Sequence, residues 1–186
     1  MKILDVGGAI NTKKDATHII DIIEKPKDCK LHYTQQNICK KWPFKDKEFD
    51  LAYCSNVLED IKDPLFVCKE MMRVSKAGII IVPSILTECT KGVDTWKGNE
   101  SYAGFCHHRW LCMIDDNKIT FIPKWSIVNI TDWTKHIPKE IKKQHFYDVL
   151  QWTDSFKIQE MEYITWEQYY NFLKDIFNYN IGENNE

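Results

Sequence analysis

The apolar positions of the chain follow two regimes. Up to residue 84, short runs of apolar and β-branched residues alternate with polar turns. Residues 2–6 (KILDV) form such a run and end at Gly7-Gly8, the pattern of a strand entering a turn. Residues 18–23 (HIIDII) make a second β-branched run, and 31–34 a third candidate. Residues 50–53 follow the loop 42–48 and read as another buried strand. Asp63-Pro64 then signals a helix start, with Asp as N-cap and Pro at the first helical position. Leu65, Cys68 and Met72 share one face of that helix, with Val67, Met71 and Val74 beside it. Ala77-Gly78 ends it, and the unbroken apolar run 79–82 fits a parallel strand covered on both faces. Strands alternating with crossovers predict an α/β protein built on an open, mostly parallel sheet with flanking helices. Such sheets bind ligands beyond the carboxyl ends of their strands, so the loops after residues 6, 22, 53 and 82 are the places to look.

Beyond residue 84 the pattern is irregular. Residues 111–114 and 118–122 flank Asp115-Asp116-Asn117 and predict a hairpin. Residues 138–150 predict a helix presenting Ile141, Phe146, Val149 and Leu150, and 157–164 a late strand. Over 166–177, Trp166, Tyr169, Tyr170, Leu173, Ile176 and Phe177 recur at helical spacing. An aromatic stripe of this kind serves a core or a subunit contact, so a homodimer through this helix is one expectation. Residues 87–102 carry little periodicity and have the length of a lid or binding loop, or of a plain surface loop.

Composition narrows the classes. A chain of 186 residues, 44% hydrophobic and 28% charged, suits a single folded domain, here residues 1–186. No apolar run is long enough to cross a membrane, and the first residues read as structure and not as a signal segment. The seven cysteines are odd in number and form no CxxC pair, which suits free thiols in a reducing, cytoplasmic setting. With 25 basic and 27 acidic residues the net charge is -2, which disfavours nucleic acid as a partner. Only Arg73 and Arg109 are arginines, so each bears inspection for planar, bidentate contacts.

The candidate chemistry starts at the first two strands. Asp5-Val6-Gly7-Gly8 closes the first strand with residues that let backbone approach a ligand. Asp21 ends the second, where a carboxylate can accept hydrogen bonds from both hydroxyls of a ribose. Strand, glycine turn, strand and terminal acid together point to a nucleoside-containing cofactor, although an ordinary turn followed by an N-cap acid would look the same. A second cluster is Gly104-Phe105-Cys106-His107-His108-Arg109-Trp110. His107 or His108 could serve as a base near neutral pH, with Arg109 orienting a polar or anionic substrate. A buried, hydrogen-bonded histidine and an arginine stacked on Trp110 are the plainer alternative. Adjacent histidines point apart on most backbones, and Glu88, Asp94, Asp115 and Asp116 show no ligand spacing, so no metal is expected.

Four stretches, ILDVGGAIN (3–11), HIIDI (18–22), WPFKDKEFDLAYCSNVLEDIKDP (42–64) and CKEMMRVSKAGIIIVPS (68–84), resemble the class I S-adenosylmethionine-dependent methyltransferases. The likeness is to the compact branch of the "type 11" methyltransferase-domain group and covers residues 2–84. It implies a Rossmann-like fold with a cofactor half at about 1–84 and an acceptor or lid half at about 85–186. Asp5, Gly7 and Gly8 would form the loop under the methionine part of S-adenosyl-L-methionine, with Asn11 as a further cofactor-binding candidate. Asp21 would hold the ribose, Ile22 would pack on the adenine, and Asn37 and Ile38 would lie near its amino group. Cys54, Ser55 and Asn56 would line the reaction centre. The chain departs from the family pattern where Ala9-Ile10-Asn11 replaces a third glycine, and where only 15 residues separate Asp5 from Asp21, which implies a shortened first crossover.

The resemblance leads to an S-adenosylmethionine-dependent methyltransferase, with O-methylation of a small molecule or a sugar hydroxyl as the expected reaction. No D/N-P-P-Y/F/W tetrapeptide follows the fourth strand, where the chain reads Cys54-Ser55-Asn56-Val57, and this disfavours amino methylation of nucleic acid. The alternative is a catalytically silent, cofactor-binding or regulatory partner of another protein. The absence of G-x-x-x-x-G-K and of a full G-x-G-x-x-G argues against kinases and ordinary dehydrogenases.

Overall fold

The structure is a computed structural model that describes residues 1–96, 98, 101–137, 145–163 and 165–182, with side chains through residue 177. In chain order the elements are β1 (Ile3–Val6), β2 (His18–Asp21), β3 (His32–Gln35), β4 (Phe49–Ser55), α1 (Pro64–Val74) and β5 (Ser75–Pro83). The short α2 (Ile85–Glu88), β6 (Trp110–Asp115), β7 (Lys118–Pro123) and α3 (Ile127–Ile130) follow. The chain closes with β8 (Tyr147–Thr153), β9 (Lys157–Glu160) and α4 (Trp166–Gly182).

A six-stranded sheet runs in the order β3-β2-β1-β4-β5-β8, with β8 alone antiparallel. This is the expected α/β class. β1 is central, and all four of its residues are buried, which is why the run reads as unbroken apolar sequence apart from Asp5. Register pairs Val6 with Ile20 on one side and with Cys54 on the other, so the ends of β1, β2 and β4 come level. Among the described residues no helix lies between β1 and β2, as the shortened crossover implied. The β2–β3 and β3–β4 connections also lack one, so the flanking helical layer is thinner than expected.

α1 begins as read, with the Phe66 N–H donating to the Asp63 side chain at 2.9 Å and Pro64 in the first turn. It buries Val67, Cys68, Met71 and Val74 and passes into β5 without an intervening turn, earlier than Ala77-Gly78. Arg73 uses its planar fork structurally: Nε and Nη2 donate to Glu70 at 2.7 Å each, and Nη1 donates to the Phe44 carbonyl at 2.8 Å. Glu70 in turn accepts from the Trp42 N–H, so this pair straps the loop before β4 onto α1.

β6, β7 and β9 form a second sheet, in which β6 and β7 are the expected hairpin. Asp116 occupies its turn at φ 51. Cys112, Ile119 and Phe121 of this sheet share one core with Leu4, Ala52, Met71 and Ile80. A second core surrounds α4, where Tyr169, Leu173 and Phe177 are fully buried against residues including Trp133, Val128 and Leu111. Tyr169, Leu173 and Phe177 of the stripe are thus core residues of this chain, while Trp166, Tyr170 and Ile176 stay half-buried.

The helix expected over 138–150 needs correction. Residues 138–144, Ile141 among them, lie outside the described set, but 147–150 belong to β8. Leu150 and Trp152 face the core while Val149 is 48% exposed, a period of two that pairs Leu150 with Ile80. The late strand is shorter than read: β9 stops at Glu160, and Ile164 lies outside the described set.

Candidate functional site

Beyond the carboxyl ends of β1, β2 and β4 opens a cleft of about 350 Å³. Gly7, Asp21, Ile22, Asn37, Ile38 and Asn56 line it, and Val57, Asp60 and Ile61 close the side after β4. Gly7 sits at φ +75, and a Cβ there would lie 2.5 Å from Val57 Cγ2, so only glycine lets the strand turn this tightly against Val57. Its N–H donates to the Ile20 carbonyl at 2.9 Å, which locks the turn to β2. The Asp21 carboxylate accepts from the Ala9 and Ile23 N–H groups, each at 3.0 Å. A carboxylate has about four acceptor positions, so a ribose edge can still be served. Ile22 and Ile23 are 64% and 43% exposed at the mouth, an apolar cover for a flat ring. Asn37 caps its own loop, its Oδ1 accepting from Cys39 N–H at 2.9 Å.

The remaining sequence candidates on this side lie elsewhere. Asp5 is buried beneath the loop, accepts from Lys13 N–H at 2.7 Å, and has its pKa raised by burial. Gly8 packs over that carboxylate. Asn11 is exposed and does not line the cleft. Cys54 points into the core, where burial pushes its thiol well up, and Ser55 is half-buried at the strand end. Asn56, at φ 54, turns the chain out of β4 and borders both this cleft and a second cavity.

That second cavity, about 270 Å³, shares Asn56 and Asp60 with the first. Its wall includes Glu59, Asp94, Trp96, Phe105, His107 and His108. No local spacing brings these together; backbone hydrogen bonds do. The Glu59 carbonyl accepts from the N–H groups of Arg109 and Trp110 at 2.7 and 3.1 Å, and Trp110 Nε1 donates to the Ile61 carbonyl at 2.9 Å. Residues 107–110 are thus docked on the turn that follows β4. Gly104, at φ +61, carries the chain past α2 so closely that a Cβ would lie 2.2 Å from the Glu88 carbonyl oxygen.

His108 is held by Glu88, with Nδ1 and Oε1 2.5 Å apart, and Lys124 Nζ donates to the other oxygen of Glu88 at 2.5 Å. The side chains of Glu88 and Lys124 are both 1% exposed. Burial alone would raise Glu88, but the hydrogen bond from His108 and the charge of Lys124 outweigh it and hold the carboxyl below its usual range. His107 and His108 turn their Nε2 atoms to Asp60 Oδ1, at 3.8 and 3.7 Å. Arg109 is exposed and does not line the cavity.

Glu59 is 1% exposed, and neither of its carboxylate oxygens hydrogen-bonds to another residue. Burial pushes it up to about 7. Glu59, Asp60 and Glu88 are candidate groups of this cavity that sequence reasoning did not assign a role. The one available signal was the position of Glu59 and Asp60 just after the fourth strand end. Of the segment 87–102, Asp94 and Trp96 reach this cavity, and Trp96 lies 6.4 Å from the His107 ring.

Residues 12–82 match the family model described as "Methyltransferase domain". That is less than half of the chain, and it spans β2 to β5 with α1. No protein of curated function matches. Among solved structures, an S-adenosylmethionine-dependent methyltransferase of Mesorhizobium loti is similar at 17% identity, with 72% of this chain and 62% of that chain covered and a TM-score of 0.40. A protein of Pyrococcus horikoshii is similar at 18% identity, covering 60% of this chain and 61% of that one, with a TM-score of 0.41. The chain thus spans less than two thirds of either structure, and likeness at this level carries no argument about activity. Among the described residues no helix is long and apolar enough to cross a membrane. Over residues 12–82, which carry β2 to β5 and most of the residues lining the strand-end cleft, the chain is similar to a methyltransferase domain.

Proposed function

We propose that the protein transfers a methyl group from S-adenosylmethionine to a hydroxyl of a small molecule or sugar. The cofactor supplies an activated methyl group on a sulfonium. The residues of the first cleft fit such a group: a glycine turn a Cβ would fill, a pinned carboxylate at the end of β2, and exposed isoleucines beside it. Its volume also falls in the range of small-ligand sites, about 300–1,000 Å³.

The observation that carries the acceptor half is Glu59, a buried carboxylate with unpaired oxygens on the wall of the adjoining cavity. A hydroxyl acceptor must lose a proton as the new bond forms, and a positioned base contributes about 10²–10⁴-fold to such a step. Glu59 suits this role better than either histidine, because both Nε2 atoms converge on Asp60 instead of on open space. Trp96, 75% exposed at the rim, offers a flat apolar face to a sugar ring or small aromatic. The cavity is small and its described wall carries no Lys or Arg, which suits a neutral or cationic acceptor and not a polyanion.

The test is calorimetric titration with S-adenosylmethionine, followed by assay of S-adenosylhomocysteine release over a panel of hydroxyl acceptors. Glu59→Gln is expected to retain cofactor affinity and to lose about 10²-fold or more in turnover on an accepted substrate. Full activity of Glu59→Gln would remove Glu59 as the base. Saturable cofactor binding without transfer to any acceptor would favour the silent, regulatory reading, and absence of cofactor binding by the folded protein would overturn the proposal.

A further inference from the structure

We infer that Asp60, His107 and His108 form a binding site for a divalent transition-metal ion of the zinc class at the edge of the second cavity. One ligand atom from each residue lies within 4.8 Å of the other two. The separations from Asp60 Oδ1 to the two Nε2 atoms, 3.8 and 3.7 Å, are too long for hydrogen bonds. They approach the ~3.4 Å that separates two ligands held about 2.1 Å from one tetrahedral ion.

The tautomer supports the same conclusion. Glu88 engages Nδ1 of His108, so the proton of a neutral ring resides there and the Nε2 lone pair is directed toward Asp60. A carboxylate behind the distal ring nitrogen is the usual support of a metal-bound histidine, fixing its orientation and raising its basicity. Here that carboxylate is itself anchored by the buried Lys124. Facing His108 Nε2, Asp60 Oδ1 is buried and has no hydrogen-bond partner. Two acceptors directed at each other repel, and a cation held between them relieves that repulsion.

A second, independent observation comes from the cavity wall. Glu59 is 1% exposed with both oxygens unpaired, and it borders the same cavity as the three ligands. Together with Asp60 and Asp94 it gives that wall three carboxylates, with no Lys or Arg on its described surface. Asp60 follows β4 while the histidines precede β6, so the site forms only in the folded chain. Three protein ligands leave a fourth position for water or substrate, the arrangement of a catalytic rather than a structural zinc site. Any use of that position on an acceptor hydroxyl rests on the proposed methyl transfer; metal binding does not.

The experiment is titration of chelator-treated protein with zinc chloride by calorimetry and with cobalt chloride by visible absorption, without methyl donor or acceptor. One equivalent is expected to bind, and cobalt should give d–d bands of a four- or five-coordinate nitrogen–oxygen site. His107→Ala and Asp60→Asn, whose side chains are partly exposed and so tolerate replacement, are each expected to weaken binding at least tenfold with unchanged circular dichroism. Cys106→Ser removes the exposed neighbouring thiol and is expected to leave binding intact. The inference is overturned if the protein binds neither metal, if both His107→Ala and Asp60→Asn bind as the unaltered chain does, or if Cys106→Ser abolishes binding. Because no methyl transfer is measured, a protein that binds metal but transfers nothing would contradict only the functional proposal.

Discussion

Replacing Gly7 by alanine tests whether the glycine turn is a steric requirement of the loop after β1. Two penalties follow from the structure. An L-residue at φ +75 costs about 1–2 kcal/mol. The new Cβ would also lie 2.5 Å from Val57 Cγ2 and 3.0 Å from its Cγ1. Overpacking of that kind costs about 1–3 kcal/mol. The sum is roughly 2–5 kcal/mol, which for a chain of this size lowers the melting temperature by about 2–4 °C per kcal/mol. Because Val57 also borders the cleft, the displaced turn should weaken S-adenosylmethionine binding in calorimetry. The double variant Gly7→Ala/Val57→Ala separates the two penalties. Truncating Val57 opens the space the new methyl needs but leaves the backbone penalty. Val57→Ala should therefore cost stability beside Gly7 and restore roughly 1–2 kcal/mol beside the new alanine, a coupling expected only of residues in contact. Chemical denaturation of the four proteins measures it. Strictly additive effects, or a Gly7→Ala protein as stable as the parent, would refute the steric reasoning.

Two further outcomes are expected. Asp21→Asn keeps the shape of the side chain but removes its charge and one acceptor, so S-adenosylmethionine affinity should fall about tenfold or more while the fold persists; equal affinity would remove Asp21 from the ribose contact. Asp148, pushed up to about 6 by burial from an ordinary 3.8, is harder to ionise in the folded chain than in the unfolded one. Its contribution is therefore most favourable below pH 4 and is lost as pH rises through 6. Asp148→Asn should be more stable than the parent by on the order of 3 kcal/mol above pH 7, with the difference vanishing near pH 4 in denaturant titrations; a difference independent of pH would contradict the burial argument.

The strand-end cleft was legible because its signals are local. A strand end, a glycine turn and a terminal acid each occupy a few consecutive residues. Parallel register alone then brings Gly7, Asp21 and Asn56 to one edge. Cys54 shows the limit of that reading: alternation along β4 turns its side chain into the core and leaves Asn56, after the strand, to border the cleft. β8 was misread for a related reason. Phe146, Val149 and Leu150 satisfy a helical spacing, whereas the exposed Val149 between half-buried Asp148 and buried Leu150 follows a period of two, which only pairing with β5 selects.

The second cavity was illegible for a deeper reason, since its geometry is made by contacts between distant segments. His107 and His108 looked unsuited to act together because adjacent side chains diverge on a regular strand. Here the segment is held in turns by the Glu59 carbonyl and by Lys124, whose Nζ donates to the Phe105 carbonyl at 2.9 Å. Both imidazoles consequently reach one oxygen of Asp60. The expense is considerable: burying Glu88 and Lys124 removes two charges from water, and such pairs seldom stabilise a fold more than apolar residues of the same volume. A fold seeking only stability has little use for that pair. What it provides is orientation, since Glu88 fixes which nitrogen of His108 carries the proton and which faces the cavity. The buried pair, the fixed tautomer and the unpaired Glu59 all bear on one small cavity beside the strand-end cleft, and packing alone would require none of them.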